Sequence, residues 1–178
     1  MRIALSTLAV AAAITLAAAG RPAAQGPSIQ AELLKDLTGQ KDQMAKIADA
    51  MPEDKFGFKA TPPQRSYGEQ ILHVAGANVM IFKALGAKAA APTINPKATA
   101  KAEILKALND SYDYGIASLK EQTDQTMLQA VDGPRFLGSS TRTRLTYFVM
   151  QHAMDIYGQM AVYLRLNGIV PPASRNSM

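Results

Sequence analysis

The chain has 178 residues, 48% of them hydrophobic, so its length supports one well-buried core and no second domain. Its formal net charge is +5 and falls to +3 without Arg2 and Arg21, because 17 basic and 14 acidic residues then remain. This mild, dispersed charge and an aromatic content of 6%, with no Trp, argue against a nucleic-acid partner. The lack of Cys excludes disulfides, thiolate catalysis and zinc–thiolate sites.

Residues 1–24 predict a cleaved signal peptide. Met1 and Arg2 provide a short positive start, residues 3–19 are apolar and uncharged, and Ala19 and Ala24 mark two alternative cleavage sites. A membrane anchor, the competing interpretation, needs about 20 consecutive apolar residues, more than this run contains. We therefore expect export from a bacterial cytoplasm to the periplasm or the medium, without stable membrane insertion after cleavage. The mature domain is expected over residues 28–174.

The first two predicted helices cover residues 28–50 and 66–85. Ser28 is the expected N-cap of the first helix, and Ser66 with Glu69 forms an expected capping box at the start of the second. The intervening loop is too hydrophobic for a free linker, so we expect it to pack over one end of the helices. Its apolar residues are Phe56, Phe58, Pro62 and Pro63.

Two further helices are predicted over residues 99–121 and 140–167. A long crossover at residues 87–97 precedes the third helix, and an irregular region at 123–138 precedes the fourth. Ser139 and Ser140 are interpreted as capping residues, and no strand-like alternation is visible. The predicted buried stripe of the fourth helix consists of Leu145, Phe148, Val149, His152, Ile156, Gln159, Tyr163 and Leu166. The predicted fold class is all-α, a four-helix bundle with a long crossover between helices two and three.

Two segments carry a family resemblance. The second predicted helix resembles the second helix of the DinB-like (DinB/YfiT) superfamily in the sequence RSYGEQILHVA at residues 65–75. The fourth predicted helix resembles the last helix of that superfamily in HAMDIYGQM at residues 152–160 and YLRLNG at 163–168. The loop MPEDKF at residues 51–56 is also similar. The resemblance implies a four-helix bundle that holds a divalent metal ion, such as Zn, Ni or Fe, at one end of its core. It also implies thiol-dependent transferase or isomerase activity in some relatives.

The resemblance further implies one histidine ligand on helix two and two, four residues apart, on helix four. His73 and His152 match two of these positions, whereas Ile156 occupies the third. Residues four apart lie above one another on a helix face, so Ile156 keeps the geometry but offers no lone pair. Two histidines alone coordinate a metal weakly. Asp155 or Glu69 could complete a two-histidine, one-carboxylate set.

Each of these residues also has a structural interpretation. Glu69 fits a capping box, and Asp155 can point to solvent or pair with a basic residue on a neighbouring helix. Both histidines can be core residues satisfied by hydrogen bonds. Gln159 can orient a histidine or form an inter-helix hydrogen bond. Gly158 is expected to permit close approach of a neighbouring helix.

Three functional hypotheses follow for the exported protein. The first is a metal-dependent hydrolase or transferase acting on a small-molecule substrate. The second is a non-catalytic bundle that binds a small molecule at a degenerate metal site. The third is a structural or partner-binding protein, and a homodimer remains open. Whether the protein is an enzyme is not decided by its sequence.

Overall fold

Four long helices form the body of the molecule in the computed structural model, which describes residues 26–177. The long helices are α1 (Ile29–Asp49), α2 (Tyr67–Lys83), α3 (Lys101–Lys120) and α5 (Arg142–Leu166), and the short helix α4 spans Asp124–Met127. Helices α1 and α2 each pack against both α3 and α5. In the bundle, α1 is therefore diagonally opposite α2, and α3 is diagonally opposite α5. The expected signal peptide at residues 1–24 lies outside the described residues.

Local capping chemistry explains where two of the helices begin. The Ser28 hydroxyl accepts a hydrogen bond from the backbone N–H of Ala31 at 3.2 Å. At the start of α2, Ser66 Oγ accepts from the Glu69 N–H at 3.3 Å, and Glu69 Oε2 accepts from the Ser66 N–H at 2.6 Å. These bonds satisfy donors that a helix cannot pair internally. The predicted N-cap and capping box are confirmed.

The loop between α1 and α2 packs over one end of the bundle, as its hydrophobic residues predict. Phe56 is buried and meets the Tyr67 ring edge-on at a centroid distance of 5.7 Å. Phe58 meets Tyr163 of α5 at 5.8 Å. The buried Tyr67 hydroxyl donates to the carbonyl of Ile47. Aromatic and hydrogen-bond contacts therefore fix the entry of α2 relative to α1 and α5.

The region before α5 contains a small β-hairpin that the sequence interpretation missed. Strand β1 (Ala130–Asp132) pairs antiparallel with β2 (Ser139–Thr141), with Val131 opposite Ser140. Ser139 and Ser140 therefore lie in a strand, and their interpretation as capping residues was wrong. Thr141 caps α5 instead, because its hydroxyl accepts from the Arg144 N–H at 3.2 Å. Strand pairing occupies the two serines, and α5 therefore starts at Arg142, two residues later than predicted.

Two predictions about helix packing were also wrong. Gly158 is exposed, and a Cβ built there would have no neighbour within 4 Å. The close helix contact lies at Gly115 of α3, where a Cβ would stand 2.3 Å from the buried Phe82 ring. Leu166, predicted to be buried, is 60% exposed, whereas Tyr163 and Leu164 of the same helix turn are buried.

The core is built from all four long helices and the first loop. Its largest fully buried side chains are Tyr67, Tyr112, Tyr163, Phe82, Leu37, Met44, Ile47, Met51, Ile71, Ile81, Leu85 and Ile104. The hydroxyl groups of the three tyrosines reach polar partners, so the core contains specific inter-helix hydrogen bonds as well as apolar contacts. In the part of the chain that the structure describes, no helix is long and apolar enough to cross a bilayer.

Candidate metal centre

The only two histidines of the chain meet between α2 and α5. The Nε2 atoms of His73 and His152 are 2.9 Å apart, and the two rings lie nearly edge to face with centroids 4.8 Å apart. Both side chains are half-buried. The prediction that the two imidazoles lie within reach of one another in the bundle is confirmed by this contact. One Nε2 donates a proton to the other, so the rings must adopt different tautomers.

The surroundings of the histidine pair favour neutral rings. Burial lowers the pKa of His73 most, and the nearby Arg65 charge and His152 lower it further. Burial also lowers the pKa of His152, where the raising effect of Asp155 opposes the lowering effect of Arg65. Neutral imidazoles keep the lone pair that a metal ligand requires. One of the two Nε2 atoms carries the proton of the bond between the rings, so that proton must leave Nε2 before both atoms can bind one ion.

The Nε2 atoms of the two rings fit a metal ion, but the remaining surroundings fit it only in part. Zn–N bonds of roughly 2.0–2.1 Å place two nitrogen ligands of a tetrahedral zinc ion about 3.3 Å apart. The observed distance between the two Nε2 atoms, 2.9 Å, is close to this value. A ligating histidine usually donates its second ring N–H to a carboxylate or carbonyl. The Nδ1 of His152 is buried and has no hydrogen-bond partner among the described residues. The residues present fit a weakly held metal ion.

The third ligand position is apolar. Ile156 is 2% exposed and lies on the buried face of α5, one turn after His152. Glu69 is engaged in its capping box and lies 3.5 Å from Lys59 Nζ. Asp155 is exposed and accepts a hydrogen bond from Gln159 Nε2 at 3.2 Å. Within residues 26–177, no three His, Asp or Glu side chains are arranged to hold one metal ion.

The structure thus brings together His73 and His152 and does not add a carboxylate to them. The capping interpretation of Glu69 is confirmed by its hydrogen bonds, and the solvent-exposed interpretation of Asp155 is confirmed by its exposure. A ligand role for either carboxylate stays a prediction. Gln159 does not bond to a histidine. Its Oε1 accepts a hydrogen bond from Gln70 Nε2 at 2.7 Å. The alternative prediction for Gln159, an inter-helix hydrogen bond, is therefore confirmed.

Aromatic residues that the sequence interpretation did not assign to the site lie beside His152. The Phe148 ring is nearly parallel to the His152 ring, at 11° and a centroid distance of 6.4 Å. Phe136, in the turn between β1 and β2, contacts Phe148 at 5.8 Å and is 64% exposed. The spacing of Phe148 and His152, four residues apart on one helix, could have predicted the first contact. No local signal predicts the second, because it depends on the hairpin.

A polar cleft adjoins His73. It has a volume of about 430 Å³ and lies where the loop before α2 meets the first turns of that helix. Its lining residues are Lys59, Pro63, Gln64, Arg65, Glu69, Leu72, His73 and Pro96. The backbone of Arg65 is fixed from α5, because the buried Tyr163 hydroxyl donates to its carbonyl at 2.9 Å. The cleft is large enough for a small molecule.

These features define a helical-bundle protein with a histidine pair between two of its long helices. The sequence matches the model of the DinB family over residues 24–176, and the chain belongs to that family. A DinB-like protein from Bacillus cereus ATCC 10987 has a similar solved structure, with a TM-score of 0.71, 19% identity and coverage of 82% of this chain and 96% of that one.

A second similar structure is a DinB-like protein, YjoA, from Bacillus subtilis. Its TM-score is 0.61 and its identity 14%, with coverage of 77% of this chain and 92% of that one. At these identities the two structures support the fold alone. A search of curated proteins found no match.

Proposed function

We propose that this DinB-family protein is exported, binds a divalent metal ion weakly through His73 and His152, and accepts a small-molecule substrate in the adjoining cleft. The observation that carries the proposal is the 2.9 Å approach of the two Nε2 atoms at the edge of that cleft. A divalent ion held there would act as a Lewis acid on the bound molecule, which suits a hydrolase or transferase.

The chain's own residues supply the rest of this proposed site. The pair of rings is presented from two helices whose relative position is fixed by the Gln70–Gln159 and Tyr163–Arg65 hydrogen bonds. Phe148 lies nearly parallel to the His152 ring at a centroid distance of 6.4 Å. The two hydrogen bonds fix the helices that carry the rings before any ligand arrives, which reduces the ordering cost of binding.

The buried Ile156 favours a second candidate, a non-catalytic bundle that binds a small molecule at a degenerate metal site. Its side chain supplies no ligand, and Nδ1 of His152 has no partner in the described part of the chain to orient the ring. In this alternative, the two histidines serve as a hydrogen-bonded link between α2 and α5, and the cleft alone carries the function.

Metal titration of the purified protein separates the two candidates. Isothermal calorimetry with Zn²⁺ and Ni²⁺ is expected to show one weak site in the wild type and none in His73→Ala or His152→Ala. Gln151→Ala, an exposed change beside His152, is the matched control and is expected to bind like the wild type. A wild type that binds no metal would favour the non-catalytic bundle, whereas tight binding would indicate that a carboxylate supplies a third ligand.

Export is tested by intact mass. Protein recovered from the periplasm of a bacterial host is expected to begin after Ala19 or Ala24. A mass that still includes residues 1–19 would support a membrane anchor and contradict a cleaved signal peptide.

A further inference from the structure

The cleft beside His73 carries an excess of positive charge that the fold does not use. Lys59 and Arg65 both line the cleft, and the only carboxylate in its lining is Glu69. That carboxylate already accepts the Ser66 N–H and lies 3.5 Å from Lys59 Nζ. Among the residues that the structure describes, the Arg65 guanidinium makes no ion pair and no side-chain hydrogen bond.

The backbone of Arg65 is anchored on both sides, and its side chain lines the same cleft as His73. Its carbonyl accepts the Tyr163 hydroxyl, and the next residue, Ser66, is locked in the capping box of α2. Among the described residues no carboxylate lies within ion-pair distance of this guanidinium, so the fold itself makes no use of its charge. A bound anion would make the position favourable, since a guanidinium offers paired donors to a carboxylate or phosphate.

We propose that Arg65, assisted by Lys59, binds the anionic group of the substrate, a carboxylate or phosphate, and thereby places the molecule against His73. This inference rests on the proposed function and specifies its substrate class as small organic anions. The remaining lining fits such a molecule, because Leu72, Pro63 and Pro96 provide apolar contact for an uncharged part.

The two histidines provide the assay. Because the chain has only two, the imidazole Cε1–H groups of the tag-free protein give two NMR signals that report directly on the cleft. Inorganic phosphate and acetate are titrated at constant ionic strength and pH, with glycerol and acetamide as uncharged probes. We expect saturable shifts with one or both anions and none with the uncharged probes, and the two anions distinguish a phosphate from a carboxylate preference.

Variants assign the effect to the guanidinium. Arg65→Gln is expected to weaken anion binding about tenfold, in the range of one charge-assisted hydrogen bond, while Arg65→Lys weakens it less. Lys120→Gln is the matched control, because it removes one exposed charge at the opposite end of the bundle. An Arg65→Gln protein that binds anions like the wild type would overturn the proposal. So would equal loss in Lys120→Gln, equal shifts with acetamide, or no anion binding by the wild type.

The outcome is separable from that of the proposed metal site. Arg65→Gln is expected to keep the wild-type melting temperature, because the side chain is exposed and the Tyr163 bond uses the backbone. It is expected to bind zinc at least as tightly as the wild type, because it removes a positive charge from the surroundings of the rings. His73→Ala is expected to lose zinc binding and keep most of its anion binding, which can be followed from the His152 signal. Loss of zinc binding by Arg65→Gln without loss of anion binding would contradict this assignment.

Discussion

Replacing Ile156 by histidine should convert the histidine pair into a three-ligand site. The side chain at residue 156 is 2% exposed and lies one turn after His152 on the buried face of α5. Imidazoles four residues apart on a helix can bind one ion from the same side. Without metal, we expect the variant to lose about 2 kcal/mol, since a buried ring nitrogen replaces apolar surface and lacks a partner.

The gain on adding metal can be worked from ligand linkage. If the third ligand tightens binding tenfold, zinc at 100 times the dissociation constant of the variant stabilises it by about 2.7 kcal/mol. The same zinc concentration stabilises the wild type by only about 1.4 kcal/mol. The difference of about 1.3 kcal/mol corresponds to roughly 3–5 °C in melting temperature for a domain of this size.

The assay is thermal unfolding followed by circular dichroism, with zinc or with EDTA. Tyr157→His is the matched control, because it places an imidazole on the adjacent, half-buried position of the same helix turn. The extra zinc-dependent shift should vanish in Ile156→His combined with His73→Ala. An equal zinc-dependent shift in the wild type and Ile156→His would refute the reasoning, as would an equal gain in Tyr157→His.

The remaining predictions concern the bundle that holds the site. Gly115→Ala should lower the free energy of unfolding by about 1–3 kcal/mol, because its Cβ would stand 2.3 Å from the buried Phe82 ring. Gly158→Ala should instead raise it by about 0.5–1 kcal/mol, since nothing lies within 4 Å, and urea unfolding of both variants measures the contrast. Lys101→Met should cost about 2 kcal/mol in the same assay, because its ammonium donates to two carbonyls at the end of α1, at 2.8 and 3.0 Å. Hydrogen bonds from the backbone N–H of Gln30 and from a serine hydroxyl lower the pKa of Asp124 below its ordinary value of 3.8. Its contribution to stability is therefore full above pH 3.8 and is lost as pH falls through the lower folded value. The melting-temperature difference from Asp124→Asn should disappear over that range, and a difference that persists at lower pH would contradict this role.

The helices and their caps could be predicted because the chemistry that sets them is local. Ser66 and Glu69 are three residues apart, which is the spacing at which each satisfies the other's backbone N–H. The meeting of His73 and His152 followed from the family resemblance together with the helical period. The helical period places each histidine on the buried face of its helix. The family resemblance indicated that these two helix faces meet.

The parts that could not be predicted depend on contacts between distant segments. Strand β1 around Val131 is only three residues long, which is too short to show an alternation of apolar and polar residues. Gly158 and Gly115 are both glycines inside predicted helices, and the sequence does not distinguish them. Only the packing of α2 against α3 shows that a side chain is excluded at Gly115 and not at Gly158. The role proposed for Arg65 rests on the lack of a carboxylate partner among residues 26–177, which only the fold reveals.

The turn between β1 and β2 has a consequence for how this protein can diversify. Phe136 contacts Phe148, which in turn lies parallel to His152, yet Arg135 and Phe136 are both exposed. A change of length or sequence in this turn would therefore alter the environment of one histidine while the four long helices keep their packing. In a laboratory selection, varying this turn would therefore test how the surroundings of His152 affect function without any substitution in the four long helices.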